Sequence, residues 1–181
     1  MRDFTRMISV LFIACGLAAG SLAVVNAVTK EPIANHEKVQ KEKAFREVSN
    51  GADEFVVVKP DKVWEAFRKK EKAGYVFLAQ AKGYGGPIKM AFGTGLDGAI
   101  TGLSILPPYT ETPGLGAKIT TAQFRDQFKN KRPEQIVLKK DDPAKGRIDA
   151  ITGATITSRA VTQAVHSTLE SFNKEKTGET K

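Results

Sequence analysis

Apolar positions change their spacing several times along the chain, and each change marks an element. Residues 8–28 carry no charge for twenty-one positions, and at about 1.5 Å of rise per helical residue such a run covers about 31 Å, the hydrocarbon thickness of a bilayer. Residues 31–50 turn polar and charged with scattered Ala, Val and Phe, a pattern that suits either a helical extension or a linker. Residues 54–58 read as a short strand. Residues 61–72 read as a helix with Asp61 as N-cap and Val63, Trp64 and Phe67 as its apolar stripe, which places Trp64 in the core. Strands are predicted over 75–81, 87–93 and 99–106, with Asp97-Gly98 as a hairpin signal between the last two. A helix over 117–129 and a strand over 135–138 follow. A final amphipathic helix runs from Ile156 on Ala160, Ala164, Val165, Leu169 and Phe172. Strands and helices mix without regular βαβ alternation, so the expected fold is α+β: one N-terminal transmembrane helix, then a single mixed, largely antiparallel domain. The expected boundaries are 1–29 for the anchor, 30–53 for the linker or helical extension and 54–181 for the domain.

The uncharged run competes with two other readings. A cleaved secretory signal would use Arg2 and Arg6 as its basic start and Val25-Asn26-Ala27 as its cleavage site, but the run is long for a signal's apolar region. A lipoprotein would need Cys15 as acceptor, and Phe12-Ile13-Ala14 is a poor approach to it. Orientation is not set by charge: Arg2 and Arg6 precede the run, while Lys30, Lys38, Lys41, Lys43 and Arg46 follow it, and long domains translocate largely regardless of charge. About 150 residues remain after the anchor, enough for one core. The net charge of +8 comes from lysines interleaved with acids, without an aromatic-studded basic module, so nucleic acid is not an expected partner. One cysteine excludes an internal disulfide. His36 and His166 lack metal-ligand spacing.

The chemistry concentrates in three stretches. Asp149-Ala-Ile-Thr-Gly-Ala-Thr155 runs straight into the final helix, where unpaired N–H groups and the positive end of the helix dipole would receive a phosphate borne by Thr155. Gly153 and Ala154 keep the approach clear of side chains, and Asp149 and Thr152 can hydrogen-bond within the turn. The plain alternative is a strand-to-helix turn in which Thr155 or Thr157 is the N-cap. Upstream lie Gly83-Tyr-Gly-Gly-Pro-Ile88 and Glu111-Thr-Pro-Gly-Leu-Gly116. Singly, each is readable as an ordinary Gly/Pro connection; their ordered occurrence with the threonine stretch weighs against coincidence.

Together these stretches resemble the FMN-binding subunits of Rnf and Na+-translocating quinone reductase complexes, in which the last threonine of Asp-x-x-Thr-Gly-Ala-Thr carries FMN through a phosphoester. The Gly-Tyr-Gly-Gly-Pro-Ile stretch is more similar to the Rnf G subunit. The resemblance implies a covalently FMN-bearing carrier in a membrane complex that couples ferredoxin:NAD electron transfer to sodium ion or proton translocation. Its implied partners are the other Rnf membrane, iron–sulfur and flavin subunits, together with a flavin transferase that uses FAD during maturation. It implies that Thr155 bears FMN and that Asp149, Thr152, Gly153 and Ala154 form the attachment motif. Glu111, Thr112, Leu115 and Gly116 would lie near the ring, with Tyr84 as a further stacking candidate. It also implies an extracytoplasmic flavin domain on a single-pass anchor in the cell membrane, not catalytic by itself. Two rivals stand beside it: the C subunit of Na+-translocating NADH:quinone reductase, and an anchored non-redox binding module.

Overall fold

The computed structural model describes residues 2–178; residue 1 and residues 179–181, the outer ends of the expected anchor and flavin domain, lie outside it. The first element is a single helix, α1 (Arg2–Val48). It passes through Pro32, which removes one backbone donor without ending the helix. Its apolar part exposes Ile8, Leu11, Phe12, Ile13, Leu17, Leu22 and Val25. By length and composition it can cross a membrane. Within this stretch Ser9, Ser21 and Thr29 donate to carbonyls three or four residues earlier on the same helix, so these hydroxyls need no water.

The strands that follow form one antiparallel sheet in sequence order: β1 (Glu54–Lys59), β2 (Val63–Arg68), β3 (Glu71–Lys82), β4 (Pro87–Gly95) and β5 (Ile100–Leu106). The chain closes with a short helix α2 (Ala122–Arg125) and a long one, α3 (Thr155–Lys176). The period-2 alternation of the strands feeds two cores at once. On β3 and β4, Phe77, Met90 and Phe92 point to one face, where they meet Phe124, Phe128, Ile136, Leu138, Ile148, Val161, Val165 and Leu169. Val76 and Ala91 point to the other face, where Ala44, Phe45 and Val48 from the end of α1 pack with Trp64 and Ala66. The end of α1, from Gln40 on, thus belongs to the folded domain. Its seat is a cross-strand pair of glycines, Gly93 and Gly102. A Cβ on Gly93 would run into the Val48 carbonyl oxygen, and one on Gly102 would come within 3.1 Å of Val48 Cα.

Three expected elements differ from those observed. Residues 61–72 are not a helix: Asp61 has φ +54° and sits in a turn, and Val63, Trp64 and Ala66 are the buried positions of strand β2. The β2–β3 hairpin turns on Lys69 and Lys70, both with positive φ. That geometry is normally announced by Asn-Gly or Asp-Gly, so the Lys-Lys pair hid the turn. The helix expected over 117–129 is broken into a tight turn Gly116–Thr120, α2, and a second tight turn Asp126–Phe128. Thr121 is extended at the break, and each piece buries one anchor: Ile119, Phe124 and Phe128. In place of a strand over 135–138 there is a turn Pro133–Gln135 and a lone parallel bridge between Leu138 and Ile148. Trp64 lies in the core as expected, although on a strand.

Replacing Gly93 with Ala should destabilise the domain by about 2 kcal/mol, because a methyl group there must displace main chain at the end of α1. Denaturant unfolding of the detergent-solubilised chain measures this. Unchanged stability would show that α1 does not seat on the glycine pair.

Candidate functional site

The three stretches singled out in the sequence meet at one buried carboxyl group. Glu111 is only 6% exposed. Its Oε2 accepts the Thr157 hydroxyl at 2.6 Å, and its Oε1 accepts the Gly85 backbone N–H at 3.1 Å. One side chain therefore joins the loop before β4, the loop after β5 and the first turn of α3. The glycines around it are required for that approach: a Cβ on Gly83 or on Gly116 would collide with the Glu111 carboxyl oxygens.

The start of α3 is built by hydroxyls and main chain. Ala154 N donates to Ile151 O at 2.9 Å, closing a turn in which Gly153 has φ +78°, a conformation that favours glycine. The Ser158 hydroxyl accepts Ile151 N at 3.0 Å and donates to Ala154 O at 2.9 Å, stapling the turn to the helix. The N-cap is Ala154, and no side chain caps the helix. The alternative in which Thr155 or Thr157 caps α3 does not hold: Thr155 is the first helical residue and Thr157 is committed to Glu111. The Thr155 hydroxyl is half-buried and makes no hydrogen bond among the described residues. The first turn contains no acidic residue of its own, and the carboxyl group that meets it is that of Glu111, through Thr157.

The other expected residues fall around this point in different ways. Leu115 is 44% exposed and its Cδ2 lies over Gly153, 3.2 Å from where a Cβ would stand. The Thr112 carbonyl oxygen accepts the N–H groups of Leu115 and Ala117, which shapes the loop, while its side chain is exposed. Thr152 is exposed in the turn. Asp149 does not bond within the turn as expected: its carboxylate pairs with Lys139 at 2.7 Å, and its main-chain N–H and carbonyl are held by the Gln127 side chain. Tyr84 is 73% exposed with no aromatic contact among the described residues. Among those residues no cluster of His, Cys, Asp or Glu could hold a metal.

Sequence reading gave Thr157 only as an N-cap candidate and overlooked Ser158, Gln127 and Lys139, whose roles come from partners elsewhere in the chain. It also overlooked Arg159, whose Nε and Nη2 fork onto the Asp141 carboxylate at 2.7 and 2.5 Å. The guanidinium hydrogen bond holds the Asp141 carboxyl below its ordinary range.

Thr157→Val, which removes the donor facing Glu111, should cost about 2 kcal/mol, since a buried carboxyl oxygen is left unpaired. Hydrogen exchange at residues 83–86 and 111–116 should rise together in this variant. Exchange that rises in only one loop would mean that Glu111 does not join them.

Known proteins are similar to this chain over the region that holds these stretches. A family model of the FMN-binding domain matches residues 83–170, which hold all three. The chain is 39% identical to the G subunit of the proton-translocating ferredoxin:NAD(+) oxidoreductase complex of Clostridium ljungdahlii, over 88% of this chain and 86% of that one. It is 34% identical to the G subunit of the Na(+)-translocating ferredoxin:NAD(+) oxidoreductase complex of Acetobacterium woodii, over 90% and 88% of the two chains. It is 30% identical to the G subunit of the ion-translocating oxidoreductase complex of Methanosarcina acetivorans, over 93% and 94%. Among solved structures, the C subunit of the Na(+)-translocating NADH-quinone reductase from Parabacteroides distasonis superposes with a TM-score of 0.53 at 26% identity, over 62% of this chain and 60% of that one. The ordered loops, the threonine at the head of α3 and these likenesses over most of the chain agree: the chain belongs to the family of G subunits of ion-translocating oxidoreductase complexes, with their FMN-binding domain.

Proposed function

We propose that this protein carries FMN as a phosphoester on Thr155 and serves as a membrane-tethered electron carrier in a complex that couples ferredoxin:NAD electron transfer to sodium ion or proton translocation. The observation that carries this reading is the state of Thr155: a partly buried residue whose hydroxyl bonds nothing among the described residues, at the first position of a helix without a side-chain cap, two residues after a glycine with φ +78°. The residues suit the group. Uncapped N–H groups and the helix dipole favour a phosphate, and Leu115 offers an exposed apolar surface next to the attachment turn. When bound, FMN supplies the acceptance and donation of electrons, and the protein supplies its position and surroundings.

The chain's own part is to hold that turn. Glu111 fixes the Leu115 loop against the first turn of α3, Ser158 fixes the turn itself, and Gln127 and Lys139 fix Asp149 at its entrance. No base touches the Thr155 hydroxyl among the described residues, and an unactivated threonine is a weak nucleophile. Attachment therefore requires a flavin transferase with FAD as donor, which reads Asp149, Thr152, Gly153, Ala154 and Thr155. The relatives' names describe members of multi-subunit complexes, so the remaining partners are the other members of such a complex. The apolar part of α1 anchors the chain in the cell membrane, with the flavin domain on the extracytoplasmic side. There no flavin pool refills an empty site, and a covalent bond prevents loss. The tether keeps the local flavin concentration high near its partners.

The likeness to a quinone reductase C subunit favours a second reading with the same flavin chemistry in a complex that oxidises NADH. Identification of the co-purifying subunits separates the two. A non-redox module would show no yellow colour that survives denaturation.

Thr155→Val made together with the transferase should carry no FMN-mass adduct after denaturation. Its stability should stay within about 0.5 kcal/mol of wild type, because the hydroxyl bonds nothing in the fold. Thr152→Val controls for the register of the motif: any adduct it carries should map to Thr155 and none to a neighbouring hydroxyl. An adduct on Thr155→Val, or none on the wild type, ends this reading. The mature chain should retain its N-terminus and partition with membranes; a start near Val28 would make the run a signal peptide instead. Leu115→Glu should leave flavin attached while shifting its absorption or midpoint potential, and unchanged values would remove that loop from the ring's surroundings.

A further inference from the structure

Thr155 and Arg159 stand one turn apart on α3, so their Cβ atoms are about 5–6 Å apart on the same helix face. Arg159 is the only charged residue between Thr155 and Val165. It is not a free surface cation. Its Nε and Nη2 fork onto Asp141, and Asp141 is itself held in place, its N–H donating to Leu138 O at 3.0 Å beside the bridge that ties Leu138 to Ile148. That fork uses two of the five guanidinium N–H groups, and the other three have no partner among the described residues. The Arg159 side chain is 39% exposed, and it stands on the first full turn after the head of α3. The nearby cation Lys139 is engaged by Asp149. A phosphoester between threonine and FMN keeps one negative charge at neutral pH. A planar guanidinium can serve a carboxylate on one edge and a phosphate on another.

We propose that Arg159, positioned by Asp141, is the charge partner of the phosphodiester at Thr155. The proposal rests on the reading of Thr155 as the attachment site and adds the residue that meets the charge. The leading N–H groups of α3 and the Arg159 guanidinium would together meet the charge of the phosphate. Asp141 is a positioning residue: it holds the guanidinium plane and does not touch the flavin.

The test uses the full chain made with its flavin transferase and purified in detergent, with FMN-mass adduct verified. Wild type, Arg159→Gln, Arg159→Lys and Asp141→Asn are compared, along with Thr155→Val and the double variant Thr155→Val/Arg159→Gln. In the loaded chain, Arg159→Gln should move the phosphodiester 31P resonance, and Asp141→Asn should move it the same way by less. Arg159→Gln should also lower the melting temperature by about 3 °C more in the loaded chain than in the Thr155→Val background. Loss of loading in Arg159→Gln that Arg159→Lys restores is the same result read at an earlier step, since charge at that position is then what the phosphate requires. An unmoved 31P resonance with equal melting losses in both backgrounds overturns the proposal and leaves the fork as a staple between α3 and the 139–147 loop. Loss of loading in both Arg159 variants overturns it too, because charge would then not suffice. If wild type carries no adduct, the Thr155 assignment itself falls; if wild type loads and the Arg159 readouts stay flat, only this inference does.

Discussion

A carboxyl group taken out of water must find hydrogen-bond donors, and Glu111 finds them in two places far apart in the chain: the Gly85 N–H and the Thr157 hydroxyl. That requirement organises the site. An unpaired buried carboxyl is costly, so the loop that carries Leu115 and the first turn of α3 are held to one relative position for as long as the pair exists. Gly83 and Gly116 are consequences of the same constraint, because any side chain at either position would occupy the space of the carboxyl oxygens. Gly83 and Gly116 are thus a packing requirement around one acid, whereas Gly85 and Gly86 are crowded by Thr110 and Gly114 answers to its positive φ.

The sheet supplies the rigid platform beneath. Because both of its faces are buried, the end of α1 and helix α3 lie on opposite sides of the same strands, with Val76 and Ala91 facing one and Phe77, Met90 and Phe92 facing the other. The long helix is thus part of the domain's core at its C-terminal end and an apolar rod along residues 8–28. A chain that needed only a flexible leash after its anchor would not bury Phe45 and Val48. The domain therefore begins at Gln40, in the last turns of α1, rather than at β1.

Electrostatics at the head of α3 follow from what the turn omits as much as from what it contains. The first turn of α3 has no capping oxygen and no acid, both of which helices ordinarily use to satisfy their leading N–H groups. Of the nearby carboxylates, Asp149 is drawn aside by Lys139 and Asp141 by Arg159, while Glu111 reaches the first turn through the Thr157 hydroxyl. The result is a helix end without a side-chain cap, preceded by the positive-φ turn at Gly153 with Leu115 beside it.

The sequence by itself determined the apolar helix, the antiparallel strands over 75–106, the amphipathic helix that begins at the threonine motif, and the kinship of the three ordered stretches. These are local in origin: periodicity, charge exclusion and motif spelling are all carried by neighbouring residues. It misread 61–72 because Val63, Trp64 and Phe67 satisfy a helical stripe as well as they fit a strand, and the Lys69-Lys70 turn carries no glycine to announce it. It misread 117–129 because Ile119, Phe124 and Phe128 are each needed in the core at angles that one straight helix cannot present. Only the tertiary structure decided that no side chain caps α3, that Thr157 serves Glu111, that Asp149 turns to Lys139, and that Arg159 is held by Asp141. Each of these depends on a partner well separated along the chain or on the dihedral angles of a turn, and only folding brings such groups within hydrogen-bonding distance.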